Sequence, residues 1–280
     1  MASAQENQMN QTTEASTEHT LFADPIAQVG NFTITNSLLN SWLVIFIVIV
    51  LSLVLRSKIR LVPGFIQNAF EMIIEGFLGI FDSVTGSRAK TLRFFPLVFT
   101  FFIFVLINNW LGILPGVGSI GQLVQEHGAT VFVPFFRGGT ADLNTTLALA
   151  LIGVVASHIF GIGSTGFWSY FNRFINLKAL IEIPKKVWQE PTVLIVNPIK
   201  VFVGLIEIIG EIAKIASLSF RLFGNIFAGE VLLASMAAIF AFGLPIPFLF
   251  LEIIVGLVQA LIFSMLIMIY LSVMTTAEEH

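Results

Sequence analysis

The sequence contains no cysteine, which excludes disulfides and thiolate metal sites. Charged residues make up only 11% of the 280, and the net charge of −3 comes without a clustered basic stretch, which argues against a nucleic-acid partner. A signal peptide is not expected, because no basic residue precedes the first apolar run near Leu38. Apolar residues, in contrast, make up 56% and include 29 phenylalanines. This composition predicts a polytopic membrane protein.

Five apolar segments are long enough to form membrane-embedded helices. They lie at about 38–55, 94–114, 143–162, 199–240 and 248–274. The expected fold class is therefore all-α, with a single membrane domain over 38–280 after an external polar tail, 1–37, in which order is expected at most near Leu21–Ile34. The fourth segment is about twice as long as a bilayer requires. We expect it to tilt rather than break, so that the last two helices form a long tilted hairpin.

The segment 63–84 has the pattern of an amphipathic helix lying in the membrane interface. Apolar residues alternate at helical spacing with a polar stripe formed by Asn68, Glu71, Glu75 and Asp82. Anionic lipid would repel this acidic face. The stripe is either a docking surface for a cytoplasmic protein or an ordinary solvated face, and the sequence leaves both open.

Basic residues predict the orientation of the chain. Arg56, Lys58 and Arg60 follow the first span directly, and further basic residues precede the second span and populate 163–200. Since cytoplasmic loops carry an excess of lysine and arginine, the N-terminus is expected outside and the C-terminus in the cytoplasm.

The most informative stretch is 217–230, where polar groups interrupt a run that is otherwise apolar enough for lipid. An arginine at bilayer depth costs roughly 2.5 to 3.5 kcal/mol on insertion scales, so Arg221 must face a protein partner or a water-filled cavity. Its guanidinium stays protonated at physiological pH and cannot relay protons. At 100° per residue, one stripe of the helix carries Glu207, Lys214, Ser217, Arg221, Asn225 and Ala228, while Glu230 points to the opposite side.

The last helix carries Glu252 and Gln259 seven residues apart on one face. If the hairpin bends near position 240, Arg221 should lie level with Gln259, and Glu230 level with Glu252. Two carboxylates at one level should not both ionise at neutral pH, so we expect this pair to share one exchangeable proton.

Three further polar residues have structural interpretations. Asp142 and Asn144 open the third span, where a helix cap explains them. His158, near the inner end of that span, is expected to be a hydrogen-bonded structural residue rather than a proton carrier.

Several motifs together resemble subunit a of the F-type ATP synthase. They are the segments 221–230, Arg-Leu-Phe-Gly-Asn-Ile-Phe-Ala-Gly-Glu; Glu252 with Gln259-Ala-Leu-Ile-Phe; 141–147, Ala-Asp-Leu-Asn-Thr-Thr-Leu; and 109–115, Asn-Trp-Leu-Gly-Ile-Leu-Pro. The similarity covers most of the chain from the first span onward, and the arginine motif is highly specific. The N-terminal tail is not covered.

The resemblance implies a stator in the bacterial inner membrane, beside a rotating ring of c subunits and in contact with the peripheral-stalk b subunits. Arg221 matches the arginine between two offset half-channels, and Asn225 and Gln259 match its polar neighbours. Glu230 and Glu252 match the outer pair, where members often combine glutamate with histidine. Glu207, Lys214 and Ser217 match positions towards the inner half-channel. Asp142, Asn144 and His158 are further candidates for lining the half-channels.

Two other classes of function fit the sequence less well. A self-contained secondary transporter or channel would usually show paired broken helices or an inverted repeat, and the sequence has neither. An intramembrane enzyme lacks a His-Glu-x-x-His motif, a serine elbow or a catalytic dyad at helical spacing. No catalytic residue, metal or cofactor is therefore expected.

Overall fold

The computed structural model describes residues 22–114, 116–126, 129–175, 192–240 and 243–276, and most of them are helical. Within these ranges the α-helices are α1 (Asn36–Lys58), α2 (Phe65–Thr85), α3 (Arg88–Ile113), α4 (Leu143–Thr165), α5 (Phe167–Ile175), α6 (Val193–Ile239) and α7 (Pro245–Thr275). Short 3-10 turns lie at Val117–Ser119 and Gly139–Ala141. The all-α polytopic class is confirmed.

Four of the described helices are long and apolar enough to cross a membrane. They are α1, over Asn36–Ser57, and the whole of α3, α4 and α7. Three of them contain a predicted span, and α3 ends at Ile113, one residue before the predicted end of the second span, 94–114. The remaining predicted span, 199–240, coincides with α6 up to Ile239; this helix runs for 47 residues and carries more charged side chains than the other four. The helix is continuous over this segment, as expected. Its position in the membrane and its tilt stay predictions.

Helix α1 begins two residues before the predicted span because Thr35 caps it. The Thr35 hydroxyl accepts a hydrogen bond from the backbone N–H of Leu38 at 3.4 Å, which satisfies one of the free donors of the first turn. Helix α2 is amphipathic as predicted, with Leu78 and Phe81 buried and Glu71 exposed. Its position at a membrane surface stays a prediction.

Two β-hairpins occur where the sequence had indicated only a tail and a loop. Strands β1 (Pro25–Val29) and β2 (Phe32–Thr35) pair antiparallel, as do β3 (Gly121–Glu126) and β4 (Ala129–Pro134). Gly30 turns the first hairpin with a φ of 63°, a conformation that glycine adopts without strain. Gly30-Asn31 is a two-residue pair of the type that connects the strands of a β-hairpin. The prediction of a largely flexible tail did not take this signal into account. Residues 1–21 of the predicted tail lie outside the described residues.

The chain separates into two compact units, each assembled from three segments. The first contains the described residues of Met1–Asn68, Thr100–Thr146 and Arg221–Ile262, and therefore holds Arg221, Glu230, Glu252 and Gln259. The second contains those of Ala69–Phe99, Leu147–Phe220 and Phe263–His280. The predicted boundary between a tail and one membrane domain stays a prediction.

A buried polar network connects the elements of the first unit. Asn40 of α1 donates a hydrogen bond to Asn108 of α3 at 3.1 Å. The neighbouring Asn109 accepts one from Thr140 at 2.6 Å and donates one to the backbone oxygen of Gly256 in α7 at 2.9 Å. The side chains of Asn40, Asn108, Asn109 and Thr140 are all buried. A buried polar group without a hydrogen bond would lower the stability of the fold, and these hydrogen bonds avoid that cost.

Aromatic packing and one surface ion pair hold the second unit. Phe94 of α3 meets Phe160 of α4 edge to face, with ring centroids 5.5 Å apart. At the start of α3, Arg88 pairs with Asp82 of α2 at 2.7 Å. The Thr91 hydroxyl, and then the Arg88 guanidinium, lower the pKa of Asp82 below its ordinary value.

Candidate functional site

Arg221 is exposed on α6, between the buried residues Leu218 and Leu222. Among the residues that the structure describes, it has no hydrogen-bond or ion-pair partner. The exposed position agrees with the expectation that this guanidinium faces a cavity or a second protein. A cation without a counterion among these described residues needs another anion or water.

Asn225, one turn beyond Arg221, joins α6 to α7. Its amide nitrogen donates a hydrogen bond to the side-chain oxygen of Gln259 at 2.8 Å. The sequence placed Arg221 level with Gln259; in the structure the residue that meets Gln259 is Asn225, four positions further along α6. Contacts between two helices recur about once per turn, and averaging sequence positions across a bend does not resolve which turn makes the contact.

Glu230 forms an ion pair that the sequence interpretation had missed. Its Oε2 lies 3.3 Å from Nε of Arg137, and both side chains are largely buried, at 18% and 9% exposed. Arg137 also donates a hydrogen bond to the backbone oxygen of Phe22 at 3.2 Å, and its guanidinium lies 6.0 Å from the ring centre of Phe227. The loop that follows α3 thus places a permanent cation against the outer carboxylate.

The glycine that follows Arg137 allows this approach. A Cβ built at Gly138 would lie 3.4 Å from Oε1 of Glu230 and 3.3 Å from Cα of Gly112, so a larger side chain would separate the loop from both helices. Arg137 is the one arginine or lysine between the second and third predicted spans, 94–114 and 143–162, and that isolation was the signal that could have identified it.

Glu252 is buried on α7, with 6% of its surface exposed. Its carboxyl group lies against the backbone of Gly229, so closely that a Cβ at that glycine would overlap it. Since Gly229 immediately precedes Glu230, this contact agrees with the predicted level of the two glutamates. Within the described part of the chain, Oε1 of Glu252 has no hydrogen-bond partner.

A cleft of about 480 Å³ lies along α6 and α7 beside these groups. Its volume is sufficient for several water molecules. Most of the lining is apolar, and the polar contributions come from three predicted site residues. The lining residues are Asn225, Ala228, Gly229, Leu232, Glu252, Ile254, Val255, Val258, Gln259 and Ile262.

Asp142 and Asn144 form the start of α4, as the cap interpretation predicts. The Asp142 carboxylate accepts hydrogen bonds from the backbone N–H of Asn144 at 3.2 Å, from the Thr145 hydroxyl at 2.9 Å and from the Ser37 hydroxyl at 3.0 Å. The side chain of Asn144 is exposed. Asp142 is therefore fully engaged in holding the helix terminus against α1.

The second unit contains a separate polar cluster around Glu211. Lys214 lies 2.7 Å from Oε1 of this buried carboxylate, and Nε2 of His158 lies 3.5 Å from Oε2. Nδ1 of His158 is hydrogen-bonded to the Tyr170 hydroxyl, which also donates to Sδ of Met274 at 3.4 Å. His158 is hydrogen-bonded, as predicted. Glu211 was not predicted, because it lies about 80° from the line through Arg221 at 100° per residue.

Glu207 and Ser217 are the other two predicted residues of this unit. Glu207 is half-buried and Ser217 is exposed on α6.

Comparisons with known proteins identify the family. A family model described as the ATP synthase A chain matches residues 38–272. The chain belongs to that family. The match begins at Leu38, which is the first residue of the predicted first span, and it includes every predicted site residue.

Curated relatives are similar to this chain over most of its length. "ATP synthase subunit a" of Syntrophobacter fumaroxidans is 31% identical over 253 residues, covering 90% of this chain and 89% of the relative. The proteins of the same name from Desulfotalea psychrophila and Campylobacter curvus are each 33% identical, over 241 and 239 residues. They cover 86% and 85% of this chain, and 83% and 89% of the relatives. With its membrane-spanning helices and bacterial relatives, the chain is a multi-pass protein of a bacterial inner membrane.

Proposed function

We propose that the chain is the ion-conducting stator subunit of an F-type ATP synthase. It provides two half-channels through which protons reach and leave a rotating ring of c subunits, and the rotation is coupled to ATP synthesis. The observation that carries the proposal is Arg221, an exposed, permanently charged group without a partner among the described residues, in a chain that belongs to the ATP synthase A chain family.

The physical role of Arg221 follows from its charge. A ring carboxyl group that faces lipid is neutral, because desolvation penalises its anion, whereas one that faces a guanidinium is favoured as the anion. Rotation past Arg221 therefore forces proton release on one side, and reloading occurs from the other. Because Arg221 cannot lose its own proton, it opposes direct leakage between the half-channels.

The energy per proton explains why a rotating ring is useful. Each proton that crosses the membrane releases roughly 2.3 kcal/mol per 100 mV, so several must be collected for each ATP. The chain itself is not the catalytic part of the complex. It requires the ring, the peripheral-stalk b subunits and the rest of the ATP synthase.

The remaining site residues divide between the two half-channels. Asn225 and Gln259, hydrogen-bonded at 2.8 Å, form the polar surface next to Arg221, and Glu230 with Glu252 forms the outer proton site. Asp142 and Asn144 belong to the entrance of the outer half-channel. Four polar residues of the second unit line the inner half-channel. The inner group is Glu207, Lys214, Ser217 and His158.

The decisive test is Arg221→Ala, measured as ATP-driven acidification of inverted membrane vesicles together with their passive proton leak. We expect pumping to be lost while the variant still assembles with the ring. Arg88→Ala is the matched control, since Arg88 is an exposed arginine that pairs with Asp82 on the surface of the second unit. Pumping retained by Arg221→Ala would refute the mechanism, and a chain that purifies without a ring of small proteolipids would favour a self-contained transporter.

A further inference from the structure

We propose that the exchangeable proton of the outer glutamate pair resides on Glu252, and that Arg137 is the fixed counterion that keeps Glu230 ionised. The inference rests on the proposed function, and it assigns unequal roles to two carboxylates that the sequence treats alike. It also makes Arg137 a positioning residue of the outer site.

The first step concerns the charge of Arg137. Its guanidinium is 9% exposed, cannot be neutralised, and lies 3.3 Å from Oε2 of Glu230. A buried cation without an anion is strongly unfavourable. Protonation of Glu230 would leave Arg137 in that state, so the pair is stable as guanidinium and carboxylate.

The second step concerns the surroundings of Glu252. Among the described residues Glu252 is in no ion pair; the charged residue next to its contact Gly229 on α6 is Glu230, which is paired with Arg137 of the loop, and α7 contributes the amide Gln259 to the same cleft. Its Oε1 has no hydrogen-bond partner among the described residues, and its carboxyl group rests on the Gly229 backbone. A carboxyl group with an anion nearby, an apolar surrounding and no cation of its own is favoured in the neutral form.

The third step concerns access. Of the two glutamates, Glu252 is the one that borders the cleft of about 480 Å³, together with Asn225 and Gln259. A proton carrier must reach both water and the acceptor on the ring. Glu252 meets this condition along the cleft, whereas Glu230 is oriented towards Arg137.

The transfer is a simple proton exchange. During synthesis, the O–H bond of the Glu252 carboxyl group breaks and an O–H bond forms on a ring carboxylate. Glu252 is left as an anion beside ionised Glu230, and the repulsion between the two favours the uptake of a proton that arrives from the outer side through water, which restores the O–H bond. Glu230 and Arg137 keep their charges throughout.

The test compares ATP-driven proton pumping per assembled complex in four variants. Glu252→Gln should lower pumping by tenfold or more. Glu230→Gln and Arg137→Gln should each be impaired, because each leaves the partner charge uncompensated. The double variant Arg137→Gln/Glu230→Gln should pump better than either single variant, since it removes both charges and leaves Glu252 as the carrier.

The opposite pattern overturns the inference. If Glu230 carries the proton, the double variant will be as inactive as Glu230→Gln, and Glu252→Gln will retain pumping. Glu252→His provides a second measurement: a titratable replacement should pump where Glu252→Gln does not, and its pH optimum should move towards the range in which imidazole titrates, about pH 6.5. A Glu252→His variant as inactive as Glu252→Gln contradicts a carrier role.

Arg221→Ala, assayed in parallel, separates the two proposals. If it loses pumping while Glu252→Gln pumps normally, the assignment of the proton is wrong and the proposed function stands. If Arg221→Ala itself pumps, the proposed function fails whatever the other variants do.

Discussion

At the scale of single residues, the two arginines of the first unit show how the same side chain can take opposite roles. Arg137 is buried and has a carboxylate at 3.3 Å, whereas Arg221 is exposed and has no ion-pair partner among the described residues. A paired cation is part of the fold, and its charge is already balanced. An unpaired one, in an apolar helix, is available to an anion that arrives from another subunit.

The cluster around Glu211 leads to a prediction about stability. Lys214→Met removes the cation that lies 2.7 Å from this carboxylate, which is 8% exposed. We expect the variant to be destabilised by about 1–3 kcal/mol, because a buried charged acceptor loses its main donor. The double variant Lys214→Met/Glu211→Gln should recover part of that loss. Unfolding of the purified chain in mixed detergent micelles measures both.

Lys90→Met is the control for this comparison. The Lys90 amine donates a hydrogen bond to the Thr276 hydroxyl at 3.4 Å, and this contact is exposed. Removing the amine should therefore change the free energy of unfolding by no more than about 0.5 kcal/mol. If the effects of Lys214→Met and Glu211→Gln simply add in the double variant, the two side chains are not energetically coupled, and the prediction fails.

At the scale of elements, α6 and α7 approach each other through a glycine. Gly229 has no side chain, and the Glu252 carboxyl group occupies the space that a Cβ would fill. Asn109 and Trp110 of α3 fasten the same part of α7 by donating hydrogen bonds to the backbone oxygens of Gly256 and Ile253, at 2.9 and 3.1 Å. These hydrogen bonds fix the backbone of α7, and the contact with Gly229 then fixes the position of the Glu252 carboxyl group along α6.

Gly229→Ala should therefore impair transport more than stability. Alanine usually stabilises a helix interior by about 0.5–1 kcal/mol relative to glycine, but here the methyl group must displace the Glu252 carboxyl group. Because a misplacement of about 1 Å in a reacting group can cost on the order of a hundredfold in rate, we expect ATP-driven pumping to fall at least tenfold in the assembled complex.

The control for that substitution is Gly163→Ala. Gly163 lies in α4, and a Cβ there would meet no described atom within 4 Å. Its pumping should match that of the unmodified chain. Normal pumping by Gly229→Ala would show that the Glu252 carboxyl group can move without consequence.

At the scale of the whole molecule, the absence of cysteine makes the orientation directly measurable. Ser119→Cys, in the turn after α3, should react with a membrane-impermeant maleimide in spheroplasts. Ser83→Cys, on α2, should react only in inverted vesicles. Both serines are exposed, and exchange of serine for cysteine changes little in size. The reverse labelling pattern would contradict an external N-terminus.

The sequence by itself determined the class of protein, the approximate extents of the helices and the family. Hydropathy and helical periodicity are properties of contiguous residues, so segments such as 143–162 and 248–274 were predicted within a few residues of α4 and α7. The motif that begins at Arg221 is likewise local. The hairpin signal near Gly30 was present too, although it was not used.

Only the tertiary structure decided which polar groups meet. Arg137 and Glu230 lie 93 positions apart in the chain, and no periodicity connects a loop residue with a helix residue at that separation. The pairing of Gln259 with Asn225 rather than Arg221, and the contact between Glu252 and Gly229, depend on how two helices approach each other. Charge balance in a buried site is a property of three-dimensional neighbours, which is why the two glutamates are equivalent in the sequence and different in the fold.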